Sequence, residues 1–219
     1  MMRSVGDARK DCWIDPAALF GDGCEIGKNV TITGCVSIGN NCKFYNNVVL
    51  GTPPQFIGCG AVYGNVVIGN DVTIRENVVV HAAVEPGAHT IIEDGCYIMT
   101  MAVVNHDCHI EDHVIINSGA ILAGHVHVMK TAVIGQHASV HQFSVIGTGA
   151  IVGMNAIVVK DVPPYIKVFG NECRGENTRL SKAVTKEYIE SETARFFALR
   201  RPERGDRVLD TLEEWKGRW

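Results

Sequence analysis

Large apolar residues, most of them aliphatic, recur at every sixth position of the chain from Ile14 to Val158, and only Pro86 breaks the series. Four residues after each of them comes a small or β-branched residue, except at Pro54. A period of six fits neither an α-helix nor an alternating strand. It predicts short strands joined by sharp corners, with the aliphatic side chain inside and the small residue in the corner. Three such strands, one from each of three successive hexads, close one triangular coil.

The chain has eight cysteines and no Cys-X-X-Cys pair. Five of them hold the small position of the repeat, namely Cys12, Cys24, Cys42, Cys96 and Cys108. We interpret these five as small core side chains, and we expect neither a disulfide framework nor a metal framework. Glycine follows the aliphatic residue at positions 27, 39, 69, 135 and 147, which favours a tight backbone near a corner.

The repeat is interrupted at residues 51–65 and at about 82–91, where proline and glycine accumulate. We expect external loops there, and long loops on a rigid scaffold commonly line sites. The period ends after the sequence DVPPY, so residues 1–165 form the predicted β-domain. Residues 166–219 form a short α-helical extension, with one helix over 181–201 and a second from about Asp206.

Composition narrows the class of protein. Hydrophobic residues make up 46% of the chain and aromatic residues 7%, which favours an aliphatic core. The formal net charge is −4 and no basic block occurs, so we expect no nucleic-acid partner. No apolar run is long enough to span a membrane, and residues 1–11 lack the apolar core of a secretory signal. We therefore expect a cytoplasmic protein.

Residues 105–113 read NHDCHIEDH, which is rich in metal-ligating side chains. In a coil of three hexads, however, His106, His109 and His113 fall on different parts of the triangle, so we expect no metal site within the chain. Residues one full coil apart instead stack about 4.8 Å apart along the axis. This stacking predicts one patch on successive coils, formed by His106, Asp107, Gly124, His125, His141 and Gln142.

The predicted patch combines a histidine with the backbone of a glycine. An imidazole can take a proton from an attacking hydroxyl group. An exposed backbone N–H can hold the oxyanion that develops on an acyl carbonyl. The patch therefore favours acyl transfer. An ordinary polar residue at the surface, without a catalytic role, is the better interpretation of His109, His113, His127 and His137.

The segments NHDC, LAGHV, VHQF and DVPPY, together with GTPPQ and IREN, resemble the UDP-N-acetylglucosamine O-acyltransferase family of lipid A synthesis. The resemblance covers about residues 20 to 172. It implies a left-handed parallel β-helix, a homotrimer with sites in clefts between chains, and acyl transfer from acyl carrier protein to a sugar-nucleotide hydroxyl.

The resemblance also implies roles for individual residues. His106 would be the general base, Asp107 its supporting partner, and Gly124 the oxyanion donor. The substrate would be bound by His125, His141 and Gln142, with His81 near the nucleotide. Met154 matches the position that limits acyl length in the family. No bound cofactor is implied; the thioester donor is a co-substrate.

The chain departs from the family at several positions that face the substrate. Phe56 stands where the family has aspartate, Val103 where it has histidine, and Glu172 where it has another histidine. The run after His81 reads Ala-Ala-Val, and a basic run after residue 177 is missing. These changes indicate a divergent member. The sugar acceptor, O- or N-acylation, and acyl carrier protein or coenzyme A as donor all stay open.

Two other classes of protein stay open at this stage. A metal lyase like the γ-type carbonic anhydrases uses the same prism and draws its histidines from two chains. A non-catalytic β-helix that serves assembly is the other, although the pairing of His106 with Gly124 argues against it.

Overall fold

The computed structural model describes residues 2–8 and 11–199, which form a prism of three β-sheets followed by helices. In chain order the strands β1 to β25 span Arg3–Ser4, Trp13–Ile14, Leu19–Phe20, Glu25–Ile26, Thr31–Ile32, Val36–Ile38, Lys43–Phe44, Val49–Thr52, Asn65–Ile68, Thr73–Ile74, Val79–His81, His89–Ile92, Tyr97–Ile98, Val103–Val104, His109–Ile110, Ile115–Ile116, Ile121–Leu122, His127–Val128, Val133–Ile134, Ser139–Val140, Val145–Ile146, Ile151–Val152, Ile157–Val158, Ile166–Phe169 and Glu172–Glu176. The helices α1, α2 and α3 span Val5–Ala8, Thr178–Ser181 and Lys186–Leu199.

Successive strands go to successive sheets, so each sheet collects every third strand of the coil region. The neighbours pair in parallel; Ile98 pairs with Ile116, and Ile116 pairs with Ile134. Each of these residues is fully buried and forms one column of the aliphatic core. The predicted parallel β-helix of hexapeptide repeats is confirmed.

The cysteines of the repeat lie in this core, as predicted. Cys24, Cys42, Cys96 and Cys108 are buried, and Cys12 packs against the cluster. Burial raises the pKa of Cys42, Cys96 and Cys108 to about 12, so their thiols stay protonated and behave as small apolar groups. All eight cysteines are free.

The corners use left-handed backbone three residues after the aliphatic position. Asparagine, which tolerates this conformation, holds it at Asn29, Asn41 and Asn47, with φ of 53°, 57° and 59°. The glycine that directly follows the aliphatic residue has another purpose. A Cβ at Gly39 would lie 2.6 Å from the carbonyl oxygen of Gly69, so this glycine permits close contact between coils.

Two insertions leave the prism, at residues 53–64 and 82–88. The first separates the paired Phe44 and Ile74 by 30 residues, and the second separates Ile74 and Ile98 by 24. Compared with the 18-residue coil, these separations add 12 and 6 residues, both multiples of six, so the periodic count continues through the insertions without a shift. Phe56 and Val62 keep the six-residue spacing but are exposed loop residues, in agreement with the external loop expected over residues 51–65.

The end of the prism differs from the expected boundary at residue 165. Strand β24 adds to the parallel sheet, and β25 returns antiparallel to it. Helix α3 begins at Lys186 and not at 181, because the hydroxyl of Thr185 accepts the N–H of Tyr188 at 3.2 Å and caps the helix. The second predicted helix, from about Asp206, lies outside the described residues. Among the described helices, none is long and apolar enough to cross a membrane.

Candidate active site

His106 and Asp107 form a hydrogen-bonded pair at the corner after β14. Asp107 adopts left-handed backbone with φ of 58°, and its Oδ2 lies 2.8 Å from Nδ1 of His106. The carboxylate also accepts the N–H of Val84 at 3.2 Å, and the hydroxyl of Thr90 accepts the N–H of Asp107 at 2.8 Å. Asp107 thus holds the Nδ1–H tautomer of His106, which leaves Nε2 as a proton acceptor.

Gly124 lies directly against the His106 ring, as stacking predicted. A Cβ at Gly124 would approach Cε1 of His106 to 2.3 Å and Nε2 to 2.6 Å. The N–H of His125 donates to the carbonyl of His106 at 3.0 Å, which fixes the register of the two coils. Among the described residues, no acceptor bonds the N–H of Gly124. That N–H therefore meets one requirement of an oxyanion donor.

His125 joins the pair from the next coil. Its Nε2 lies 3.7 Å from Oδ2 of Asp107, and its ring meets the His106 ring edge-on at 5.3 Å. On its other side it stacks on Phe143, with ring centroids 4.5 Å apart and an angle of 12°. Phe143 was missed by the sequence analysis, although it stands one full coil after His125 and the stacking rule could have found it.

His81 lies buried beside the pair. Its side chain comes from β11, and Nδ1 lies 3.0 Å from the hydroxyl of Thr52. Burial lowers the pKa of His81, nearby His106 lowers it further, and the carbonyls of Pro53 and Thr52 oppose the shift. Nε2 has no hydrogen-bond partner among the described residues.

Phe56 reaches the same site from the loop 53–64. Its ring meets the His106 ring edge-on, with centroids 6.2 Å apart. Just over half of Phe56 is exposed, and the following Ile57 is fully exposed. The wall beside His106 is therefore apolar at this point.

The remaining predicted site residues are less closely connected. His141 and Gln142 are exposed at the next coil, where Nδ1 of His141 lies 3.2 Å from the carbonyl of Gln142. Met154 is 68% exposed and precedes the corner residue Asn155, on a different edge of the prism. One chain alone does not bring Met154 to His106.

A second histidine cluster borders the site. The rings of His109 and His127 lie 4.6 Å apart, and their Nε2 atoms lie 2.5 Å from Glu93 and Glu111, respectively. The sequence alone predicts ordinary polar surface residues at both positions. A pocket of about 200 Å³ joins this cluster to the site, and it is lined by Asp107, His109, His125, Val126, His127, Phe143, Val145 and Leu199.

Metal-ligating atoms converge at one place in the part of the chain that the structure describes. The donor atoms of His106, Asp107 and His125 all lie within 4.8 Å of one another. This is a different set from the three histidines of the segment NHDCHIEDH. His109 and His113 take no part in it.

Comparison with known proteins agrees with the fold. The bacterial transferase hexapeptide model matches residues 18–52 and 89–124. The chain superimposes on LpxA from Acinetobacter baumannii with a TM-score of 0.76 and 25% identity, covering 90% of this chain and 84% of that one. A solved UDP-N-acetylglucosamine acyltransferase is 30% identical, with a TM-score of 0.74 and coverage of 88% and 83%.

Curated relatives match over a shorter region. The acyl-[acyl-carrier-protein]–UDP-N-acetylglucosamine O-acyltransferase of Thermodesulfovibrio yellowstonii is 39% identical over 104 residues, which is 44% of this chain and 40% of that protein. The enzyme of the same name from Bartonella quintana is 36% identical over 96 residues, which is 43% of this chain and 35% of that protein. The matched region therefore spans less than half the length of these relatives.

The fold is a left-handed parallel β-helix of hexapeptide repeats, and its repeats match those of the bacterial transferase hexapeptide family. The chain belongs to the UDP-N-acetylglucosamine O-acyltransferase family.

Proposed function

We propose that the protein transfers an acyl group from a thioester donor to a hydroxyl or amino group of a nucleotide-linked sugar. The observation that carries this proposal is the His106–Asp107 pair packed against Gly124. It places a proton acceptor beside a backbone N–H that has no partner among the described residues. The names of the relatives add acyl carrier protein as a donor and UDP-N-acetylglucosamine as an acceptor.

In the proposed reaction, Nε2 of His106 accepts the proton of the sugar nucleophile as the nucleophile attacks the thioester carbonyl. The N–H of Gly124 stabilises the oxyanion of the tetrahedral intermediate. Collapse of the intermediate breaks the carbon–sulfur bond, and the thiolate leaves with the proton held by His106. Asp107 stabilises the imidazolium through Nδ1 in both steps.

The remaining site residues are proposed to bind the acceptor and donor. His125, His141 and Gln142 lie on the coils above His106, where the nucleotide-linked sugar would lie, and His81 borders the same space. Phe56 in place of an aspartate indicates an acceptor other than the one the relatives use. We keep both acyl carrier protein and coenzyme A as donors. No resident cofactor enters the reaction. We propose that the protein works as a homotrimer in the cytoplasm.

Product analysis tests this function. The protein is incubated with a panel of UDP- and dTDP-linked sugars and with acyl carrier protein or coenzyme A thioesters, and acylated sugar nucleotides are detected by mass spectrometry. His106→Ala should lower the rate by about 10²- to 10⁴-fold, because the proton acceptor is lost.

The matched control for this experiment is His113→Asn. His113 is an exposed histidine at another corner with φ of 56°, and asparagine already holds equivalent corners, so the fold and the rate should be unchanged. A His106→Ala protein that keeps its rate within a few-fold of the parent would contradict the assignment of the base.

A further inference from the structure

We propose that a divalent transition-metal ion such as Zn²⁺ binds between His106, Asp107 and His125 and inhibits the enzyme. The binding part of this inference rests on the geometry of the three side chains alone. The inhibition part rests on the proposed function, because it concerns the proton acceptor of that reaction.

The donor atoms are close to the arrangement that zinc requires. Nδ1 of His106 lies 2.8 Å from Oδ2 of Asp107, and that oxygen lies 3.7 Å from Nε2 of His125. All three donor atoms lie within 4.8 Å of one another. With zinc bonds of about 2.0 to 2.2 Å, tetrahedral ligand atoms stand about 3.3 Å apart. Side-chain shifts of about 1 Å would therefore complete the site.

The chemistry of the donor set also suits zinc. Two imidazoles and one carboxylate are the ligands of a common type of catalytic zinc site, which leaves a fourth position open. The pocket of about 200 Å³ is lined by Asp107 and His125. It offers room for a water molecule as the fourth ligand.

The surroundings orient the three donor groups. The N–H of Val84 donates to Oδ2 of Asp107 at 3.2 Å, and Thr90 holds the Asp107 backbone. Stacking on Phe143 fixes the plane of the His125 ring. Groups that orient metal ligands in this way typically strengthen metal binding by about 10- to 100-fold.

Metal binding would remove the acceptor that the proposed reaction uses. The ion takes the place of the proton on Nδ1 of His106, and a neutral imidazole bound at Nδ1 carries its proton on Nε2. Nε2 then faces the nucleophile as a donor and can no longer accept a proton. A chelator that withdraws the ion returns the proton to Nδ1 and restores the base.

Binding is tested first, without any assay of activity. Zn²⁺ is titrated into the full chain by calorimetry and by competition with a chromophoric zinc chelator. We expect one ion per chain. His125→Asn removes one ligand but keeps a residue that tolerates the corner φ of 60°, and it should weaken binding by at least about tenfold. Asp107→Asn should weaken it as well, and circular dichroism checks that both variants are folded.

His113→Asn is the matched control, because His113 is also a corner histidine but is not one of the three proposed ligands. The zinc affinity of this variant should equal that of the parent protein. Stoichiometric binding that persists in both His125→Asn and Asp107→Asn would overturn the site. So would the lack of any bound ion in the parent protein. Either result leaves the proposed transfer function intact, because neither measurement involves substrate.

Inhibition is tested on the parent enzyme with its identified substrates. Zn²⁺ should lower the rate in proportion to occupancy of the site, and EDTA should restore it. Full occupancy without loss of activity would overturn the inhibition and would also contradict His106 as the base. A rate that rises with Zn²⁺ would overturn it too, and would favour a metal-dependent enzyme.

Discussion

Gly124 is a residue of the candidate site whose identity the structure constrains directly. A methyl group there would come within 2.3 Å of the His106 ring, which Asp107 holds in place. Gly124→Ala should therefore displace the imidazole and lower the transfer rate by about 10²- to 10³-fold, the cost typical of one misplaced catalytic group. Steady-state kinetics with the identified substrates check this.

Gly6→Ala is the control for that substitution, because a Cβ at Gly6 meets nothing within 4 Å. It should leave the rate unchanged. A Gly124→Ala enzyme with the parent rate would show that the His106 ring moves aside without cost, and the close contact would then have no catalytic meaning.

Stacking by one full coil predicted the centre of the site from the sequence. It placed His106 against Gly124 and Asp107 against His125, because every coil repeats the same three corners. It could not find Phe56, since that residue comes from an insertion whose path the repeat does not encode. The pairing of His109 with Glu93 was also missed, because those residues are 16 apart and lean toward each other across the sheet.

At the scale of elements, helix α3 is held against the prism by a buried carboxylate. Glu111 is 2% exposed and bonds Nε2 of His127 at 2.5 Å, the guanidinium of Arg195 and the N–H of Lys130. Arg195 also approaches Glu192, which itself bonds Thr148 and Lys130. Burial alone would raise the pKa of Glu111, but the bonds from His127 and Arg195 outweigh it and lower that pKa to about 2.

Glu111→Gln should lower the free energy of unfolding by about 3 kcal/mol at pH 7, because the pKa of Glu111 falls from 4.5 to about 2 on folding. The folded pKa lies below the unfolded one, so the contribution is complete above about pH 4.5 and is lost as the pH falls through about 2. The difference in the free energy of unfolding between the parent and Glu111→Gln should thus shrink to about half by pH 3. Urea unfolding at pH 7 and pH 3 measures this difference.

Glu93→Gln provides the matched control. Glu93 makes the same contact to His109 at 2.5 Å, but its side chain is 36% exposed. Exposed pairs contribute about 0 to 1 kcal/mol, so this variant should unfold almost like the parent at both pH values. If the free energy of unfolding fell equally in the two variants, burial and Arg195 would add no stability to the contact between Glu111 and His127.

The elements themselves could be predicted because one spacing fixes the prism. The inward apolar residue and the small or β-branched corner residue are both required by packing, so they repeat throughout the coils. The periodic count runs through Phe56 and Val62 because insertions of whole hexads are invisible to it, whereas the proline and glycine of residues 51–65 predict the loop that holds them. Helix α3 began later than predicted because apolar spacing does not register the capping hydroxyl of Thr185.

At the scale of the molecule, the sheet that contains β17, β20 and β23 carries an uncovered apolar surface. Ile121, Ile157 and Val159 are 44%, 63% and 51% exposed. Ser139 lies between the two isoleucines in the sheet and pairs with each of them. Packing of this face between chains would support the homotrimer. Ile157→Arg should then yield monomers that lack transfer activity, as measured by light scattering and product analysis. A parent protein that is a stable, active monomer would contradict the trimer.

Met154 would matter only in such an assembly. It lies eight hexads after His106, which is about 2.7 coils or roughly 13 Å along the prism, and on another edge. An acyl chain that starts at His106 of one protomer and runs along the axis would reach Met154 of its neighbour. Because Met154 is 68% exposed in the single chain, its side chain is available to close the end of a groove between chains.

Met154→Gly should accordingly move the optimum toward longer acyl donors, because it removes the apolar volume that ends the groove. The profile is measured with a series of thioesters of increasing chain length. Met154→Leu keeps nearly the same volume and should keep the parent profile. If glycine and leucine give the same optimum as methionine, Met154 packs between chains without touching the acyl group. If the optimum shifts for glycine alone, the groove runs along the axis from His106 to the neighbouring chain.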